Sequence, residues 1–247
     1  MRRAGVVVAD VLSKLQDIAE PGVSTGRLDR IAAEMTLAAG AEPLFKGVRN
    51  PGAGQPFPGV ICASVNHEVV HGIPSQDTVL RSGDILSVDF GVRLNGYCGD
   101  AAVTMAIGEV SADRRRLMDV TRRVLEIAID KAAPGLKWSR VARDMQSYAE
   151  AAGFSVVRDF VGHGIGTRMH EEPRVPNFVS RELLVDDILL AEGMVLAVEP
   201  MINAGGHAVR TLRNGWTVVT ADGKCSAHFE HTIAVVRGGC EILTQEP

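Results

Sequence analysis

The chain has few cysteines, no long apolar run and little net charge, and each shortage excludes a class of protein. Its four cysteines lie far apart without a Cys-X-X-Cys pair, which argues against a zinc knuckle or disulfide framework and fits a reducing cytosol. No segment approaches the roughly 18 consecutive apolar residues that a membrane span needs, and charged residues interrupt the apolar amino terminus too early for a signal sequence. A net charge of −4 gives no electrostatic footprint for nucleic acid. We therefore expect a cytoplasmic protein that binds neither membranes nor nucleic acid.

What is present is an ordinary globular composition, with 46% hydrophobic and 23% charged residues in a chain of 247. That length permits one large mixed domain. Apolar periodicity and capping residues predict helices over 3–19, Thr25 to Gly40, Ser111 to about Ala133, and Ser139 to Ala152, with Thr25 and Ser111 as caps. Runs rich in β-forming residues predict strands within 59–65, 85–107, 155–161, 193–199, 216–220 and 228–237. We expect an α/β (α+β) fold in which helices cover a central antiparallel sheet.

The two halves of the sequence resemble each other in the order of their signals. Pro21-Gly22 recurs as Pro134-Gly135, and Ala38-Ala39-Gly40 recurs at the same spacing as Ala151-Ala152-Gly153. The ordinary signals that stop a helix explain part of this similarity. Because the order of elements repeats as well, we expect a duplicated fold with a cleft between its halves.

The stretch around Asn95-Gly96 predicts a β-hairpin with a two-residue type I′ turn. With that turn, Asp89 lies opposite Ala102 and Asp100 lies opposite Gly91, so both carboxylates share one face. Diagonal neighbours of this kind are about 7–8 Å apart at the backbone, within joint reach of one cation. A hairpin whose polar face meets water is the plainer alternative, and the hairpin alone does not decide between them.

A second metal motif is accidental. His67-Glu68-Val69-Val70-His71 matches the zinc-protease pattern, which requires both histidines on one helix. The following Gly72-Ile73-Pro74 leaves no room for a helix, so the pattern does not predict a zinc protease.

Three further residues have the character of metal ligands. His163 lies between glycines that let the backbone approach another group closely, and Glu199 and Glu230 each interrupt an apolar strand. A core glutamate is rare unless it is paired or bound to a metal. With Asp89 and Asp100 these residues form an oxygen-rich set with one nitrogen, which suits Mn²⁺, Fe²⁺ or Co²⁺, and Zn²⁺ in paired sites.

In this order, the residues resemble the methionine aminopeptidases, most closely the bacterial type I form. The resemblance rests on the two aspartates, Gly162-His163-Gly164, His170-Glu171-Glu172-Pro173, Glu199-Pro200 and Glu230-His231-Thr232, and it extends over nearly the whole chain. It implies the pita-bread fold, a pseudo-two-fold duplication, in a single catalytic domain over 1–247 with halves at approximately 1–110 and 111–247. It also implies removal of the amino-terminal methionine from peptides and nascent proteins whose second residue is small.

The resemblance further implies two divalent cations per subunit, drawn from Co²⁺, Mn²⁺, Fe²⁺ and Zn²⁺. One ion is expected on Asp89, Asp100 and Glu230, and the other on Asp100, His163, Glu199 and Glu230. Such an ion pair, about 3.5–4 Å apart, activates a water between them as a hydroxide that attacks the first peptide bond.

Other roles follow from the same resemblance. Glu199 is expected to be the general base, His170 to stabilise the developing oxyanion, and His71 to contact the substrate backbone. Phe57, Cys62 and Trp216 resemble the lining of the methionine pocket, where a thioether packs well against aromatic rings and a thiol. The chain departs from the family pattern at Met169, Gly54 and His228, which leaves its side-chain preference open.

Two other functions compete with this interpretation. A proline-specific aminopeptidase or dipeptidase would share the fold and the ligand set, although such proteins usually carry an extra amino-terminal domain. A non-enzymatic pita-bread binding module would have lost the ligands, and this chain keeps all five. We further expect a monomer that acts on nascent chains and makes transient contact with the ribosome.

Overall fold

The computed structural model of the protein describes residues 1–245. Its helices are α1 (Arg2–Ile18), α2 (Thr25–Ala38), α3 (Ala112–Lys131), α4 (Trp138–Ala151) and α5 (Arg181–Val185). Its strands are β1 (Glu42–Pro43), β2 (Cys62–Val65), β3 (Glu68–Val70), β4 (Ile85–Leu94), β5 (Tyr97–Ala106), β6 (Ser155–Val156), β7 (Gly162–Gly164), β8 (Glu171–Val175), β9 (Val195–Val198), β10 (Met201–Asn203), β11 (Val209–Thr211), β12 (Val218–Thr220), β13 (Ser226–His228), β14 (Glu230–Val236) and β15 (Gly239–Ile242).

The four long helices lie where the sequence predicts them, with one change of cap. Ser111 caps α3 as expected, because its side chain accepts a hydrogen bond from the backbone N–H of Arg114. The cap of α2 is Ser24 and not Thr25, since the Ser24 side chain accepts from the N–H of Arg27 while Thr25 is already helical. The hydroxyl of Thr25 instead donates to the carbonyl of Ser75.

The central hairpin has the predicted turn and register. Asn95 and Gly96 have φ values of 51° and 81°, the left-handed conformations that a type I′ turn requires. Leu94 pairs with Tyr97, and Asp89 pairs with Ala102. Asp100 pairs with Gly91. The two aspartates therefore share one face of the β4–β5 ribbon.

This hairpin lies within a nine-stranded sheet of order β1-β4-β5-β14-β9-β7-β8, with β2 added on β4 and β15 on β14. All of its pairings are antiparallel. The predicted strand at 228–237 is interrupted at Phe229, because β13 pairs with β10 in a separate small sheet while β14 joins the large one. The predicted strand at 155–161 is regular only at Ser155–Val156.

The helices pack on the sheet in two matching pairs. Side chains of α1 and α2 share an apolar cluster with β2, β4 and β5, and those of α3 and α4 share another with β9 and β14. The backbone contacts around the repeated Pro-Gly turns also match. Leu80 donates to Val23 and accepts from Gly22, as Leu190 donates to Leu136 and accepts from Gly135.

The expected mixed fold, with duplicated elements and helices on an antiparallel sheet, is therefore confirmed. None of the helices within residues 1–245 has both the length and the apolar character needed to cross a bilayer.

Candidate metal centre

Neighbouring strands bring the candidate ligands into one cavity of about 650 Å³. Asp89 lies on β4 and Asp100 on β5, and the next strand in the sheet, β14, begins with Glu230. Beyond it, β9 ends one residue before Glu199, and β7 carries His163. Because adjacent strands are about 4.8 Å apart, these five neighbouring strands bring the five side chains together at the cavity.

The tightest part of the cluster is Asp100, His163 and Glu230. Each offers one ligand atom, and these atoms all lie within 4.8 Å of one another. Glu199 joins from the side, with its Oε1 3.7 Å from His163 Nε2. Asp89 lines the same cavity, although it is not part of the three-residue group.

The carboxylates of this cluster are buried with unmet hydrogen-bonding capacity. In the described part of the chain, Asp89 Oδ1, Asp100 Oδ1 and Glu230 Oε1 have no hydrogen-bond partner. Burial raises the pKa of Asp100 to about 7. Burial, followed by the charge of Asp100, raises the pKa of Asp89 and of Glu230 well above the usual range. The pKa of Glu199 is raised in the same way by burial and then by Asp89 and Asp100. Unpaired, mutually repelling carboxylates in a buried site are stabilised by a bound cation, so this donor set fits divalent metal ions.

His163 is oriented as a metal ligand. Its Nδ1 lies 2.9 Å from the carbonyl oxygen of Gly164. Donation from Nδ1–H to that carbonyl leaves the lone pair on Nε2, on the side of Glu199. Burial lowers the pKa of His163 to about 4, so the ring is neutral near pH 7, the form that binds metals.

Two further residues, Thr232 and Gly91, set the position of Asp100. The hydroxyl of Thr232 accepts from the N–H of Asp100 at 3.1 Å and donates to its carbonyl at 2.7 Å. Opposite, a Cβ on Gly91 would lie 2.9 Å from Asp100 Oδ1, so glycine leaves room for the carboxylate. The hairpin register already placed Gly91 there, whereas Thr232 stood in the sequence only as part of the Glu230-His231-Thr232 motif, without a role of its own.

The candidate methionine pocket forms one wall of the cavity. Phe57 and Trp216 pack edge to face, with ring centroids 5.2 Å apart, and Trp216 Nε1 donates to the carbonyl of Gln55 at 2.9 Å. Cys62 is buried beside them, and burial, followed by the charge of Asp89, raises the pKa of its thiol. Phe45 completes this apolar cluster. It lies between the predicted helix that ends at Gly40 and the predicted strand within 59–65, where no sequence pattern marks it.

The two candidate substrate histidines lie at the same cavity. The ring of His71 packs edge to face on Phe160 at 5.5 Å, and burial, followed by the charge of His170, lowers its pKa to about 4. His170 is exposed, and its ring centroid lies 4.4 Å from that of His163. Burial of part of its ring lowers the pKa of His170 as well.

The His67-to-His71 pattern is not a zinc-protease helix. His67 lies in an exposed turn and Glu68–Val70 forms strand β3. The Glu68 carboxylate accepts a hydrogen bond from the N–H of Val65 at 2.8 Å. The prediction that this motif is accidental is confirmed.

A sheet that directs four carboxylates and one imidazole into a cavity with an apolar wall is typical of metal-dependent hydrolases. The family model of metallopeptidase family M24 matches residues 1–237. A methionine aminopeptidase from Clostridium acetobutylicum is 47% identical over 244 residues, which cover 99% of this chain and 94% of the relative. The crystal structure of methionine aminopeptidase from Thermotoga maritima matches with a TM-score of 0.93 at 41% identity, covering 100% of this chain and 95% of that one. The chain belongs to metallopeptidase family M24 and, within it, to the methionine aminopeptidases.

A more distant structure shows the fold alone. An Xaa-Pro dipeptidase from Bacillus anthracis matches with a TM-score of 0.75 at 21% identity. The match covers 100% of this chain but 59% of the dipeptidase. The expected pita-bread fold is thus shared with proteins that are considerably longer.

Proposed function

We propose that the chain is a metal-dependent aminopeptidase that removes the amino-terminal methionine from peptides whose second residue is small. One observation carries this proposal: a single cavity joins the buried acidic cluster to an apolar wall formed by Phe57, Cys62 and Trp216. The full-length similarity to methionine aminopeptidases supports the same substrate.

The apolar wall suits a methionine side chain. The aromatic edges of Phe57 and Trp216 offer favourable contacts to a thioether, each worth about 0.3–1.5 kcal/mol. Cys62 presents an uncharged thiol, because its pKa is raised. A charged or strongly polar first residue would be desolvated here without a partner, which disfavours it.

The cluster would hold two divalent cations, one on Asp89, Asp100 and Glu230 and one on Asp100, His163, Glu199 and Glu230. The unpartnered carboxylate oxygens and the orientation of His163 support this arrangement, and the donor set suits Mn²⁺, Fe²⁺, Co²⁺ or Zn²⁺. When bound, the ions lower the pKa of a water molecule and polarise the peptide carbonyl.

Three side chains would act on the substrate directly. A carboxylate oxygen of Glu199 would accept the proton of the attacking water and pass it to the leaving amine, since this group lines the cavity beside His163. His170 donates a ring N–H to the carbonyl oxygen as charge develops there. His71 would contact the scissile nitrogen, with its ring packed edge to face on Phe160.

The cluster also explains why only the terminal residue would be removed. A free α-amine is positive near neutral pH, or binds a metal ion once deprotonated. The positive form is attracted to the buried carboxylates, and the neutral form would be bound by the ions that these carboxylates hold. A peptide bond further along the chain has no such group to anchor it.

The experiment is a peptide panel with the metal-stripped protein reloaded with Mn²⁺, Fe²⁺, Co²⁺ or Zn²⁺. Met-Ala-Ser should release methionine only after reloading, and Met-Leu-Ser should react much more slowly. Release of the residue before proline, with Met-Ala-Ser left intact, would instead indicate a proline-specific enzyme. A purified protein that takes up no divalent metal would be a binding module.

Four properties of the protein stay predictions: action on nascent chains, transient contact with the ribosome, a monomeric state and a cytoplasmic location.

A further inference from the structure

One buried imidazole beside the metal centre has no function assigned so far. His228 is 2% exposed. Its Nε2 has no hydrogen-bond partner among residues 1–245. Among the described residues, the acidic atom that it faces is Glu199 Oε2, at 4.0 Å. An unpartnered polar atom in a buried position is costly, so its direction calls for an explanation.

The backbone of His228 is fixed by a neighbouring strand. The hydroxyl of Thr104 accepts from the N–H of His228 at 2.8 Å and donates to its carbonyl at 2.7 Å. Ser87 on β4 lies 2.8 Å from the same hydroxyl. The hairpin that supplies two of the candidate ligands therefore also sets the position of His228.

This arrangement repeats the one that holds Asp100. Thr232 bonds both backbone groups of Asp100, just as Thr104 bonds both backbone groups of His228. These two pairs of threonine hydrogen bonds lie on either side of the pairing of Glu230 with Ala102. Asp100 precedes Ala102 by the same interval at which His228 precedes Glu230. His228 thus occupies the position on its strand that a candidate ligand occupies on the facing strand.

His228 nevertheless stands apart from the ligand cluster. The group whose ligand atoms converge comprises Asp100, His163 and Glu230, without His228. Glu199 lies between two imidazoles, with Oε1 3.7 Å from His163 Nε2 and Oε2 4.0 Å from His228 Nε2. The geometry favours a contact with Glu199 over a direct contact with metal.

We propose that His228 is a positioning residue, whose Nε2–H donates a hydrogen bond to Glu199 Oε2 and fixes the orientation in which Oε1 faces the metal centre. The inference deepens the proposed function and rests on it, because Glu199 is there both a ligand and the proton acceptor. A gap of 4.0 Å is longer than a hydrogen bond. Such contacts are often long in unliganded sites and tighten in the loaded ones.

The test compares His228→Gln with His228→Asn. Glutamine keeps an N–H donor at nearly the reach of Nε2, while asparagine is one methylene shorter and cannot reach Glu199. Calorimetric titration of the metal-free protein with Mn²⁺ should show affinity weakened about 10–100-fold in His228→Asn, as for other residues that orient a ligand. His228→Gln should stay within about threefold of the parent, whereas a merely structural histidine would not be rescued selectively by the longer amide. In turnover of Met-Ala-Ser, His228→Asn should lower kcat with little change in KM.

His231→Asn is the matched control. His231 is a half-buried histidine whose Nδ1 lies 2.9 Å from Thr244 Oγ1. Within residues 1–245, the histidines that pair with Glu199 are His163 and His228. This variant should lose stability while keeping its metal affinity. Parent-like Mn²⁺ affinity in His228→Asn, or equal weakening in both His228 variants, would overturn the positioning role.

A measurement on the parent protein covers the case in which a variant does not fold. Nitrogen NMR of the Zn²⁺-loaded parent should show His228 Nε2 carrying the proton, and an unprotonated Nε2 would contradict the proposal. Failure of the proposed function is distinguishable, since the parent would then bind no divalent metal or release no methionine.

Discussion

Replacing Asp100 with asparagine should separate stability from function. Asp100 is buried within a group of carboxylates and has a pKa raised to about 7. Asparagine has the same shape without the charge. We expect the metal-free variant to be more stable than the parent at pH 8, and to have lost metal-dependent turnover.

The direction in which the stability of the metal-free parent changes with pH follows from proton linkage. The folded pKa of Asp100 is raised above the unfolded value near 3.8, so the folded state holds more protons between these two pKa values. The metal-free parent therefore loses stability as pH rises from about 4 to 7, and above pH 7 the full penalty applies. A shift of about three units corresponds to about 4 kcal/mol. Asp100→Asn avoids this penalty, but its buried amide lacks a hydrogen-bond partner, which costs about 1–3 kcal/mol of stability.

The assay is urea unfolding of the chelator-treated proteins at pH 5 and pH 8. The cost of the amide is the same at both pH values, so it cancels when the two differences are compared. The advantage of Asp100→Asn over the parent should grow by about 2–3 kcal/mol between pH 5 and pH 8. Glu192→Gln, which neutralises an exposed carboxylate, serves as the control and should show no such growth. A difference that does not change with pH, or retained turnover, would refute the reasoning.

Three further changes test other parts of the site. Gly91→Ala places a Cβ 2.9 Å from Asp100 Oδ1; the displaced carboxylate should weaken Mn²⁺ binding about tenfold or more in a calorimetric titration, and unchanged affinity would show that the space is not needed. Trp216→Leu removes the edge contact with Phe57; kcat/KM for Met-Ala-Ser should fall about 10–100-fold, from the loss of about 1.5–3 kcal/mol of apolar contact, and an unaltered value would place the methionine pocket elsewhere. His67→Ala changes an exposed turn residue; metal content by mass spectrometry and turnover should match the parent, and loss of metal would revive the zinc-protease motif.

Local rules in the sequence were sufficient for the hairpin that anchors the site. Asn95-Gly96 admits few turn types, and the period of two in a strand then decides which residues share a face with Asp89 and Asp100. Glu199 and Glu230 were found for a related reason. Burying a carboxylate is costly, so a glutamate within an otherwise apolar strand stands out in the sequence.

Local rules were insufficient where an element depends on its partner. The strand predicted at 228–237 changes sheets at Phe229, because β13 and β14 pair with different neighbours. Thr25 could cap a helix as well as Ser24, and its tertiary contact with Ser75 decides between them. Phe45 belongs to the pocket only because the loop that carries it folds back over distant residues.

By itself, the sequence determined the turn, the register, the order of the candidate ligands and the exclusion of the zinc-protease motif. Each of these depends on neighbouring residues or on the clash between charge and burial. Only the tertiary structure decided that β7, β9 and β14 converge on the hairpin, that Thr232 clamps Asp100, and that His228 faces Glu199. Those contacts join residues far apart in the chain, so their geometry exists only once the sheet has assembled.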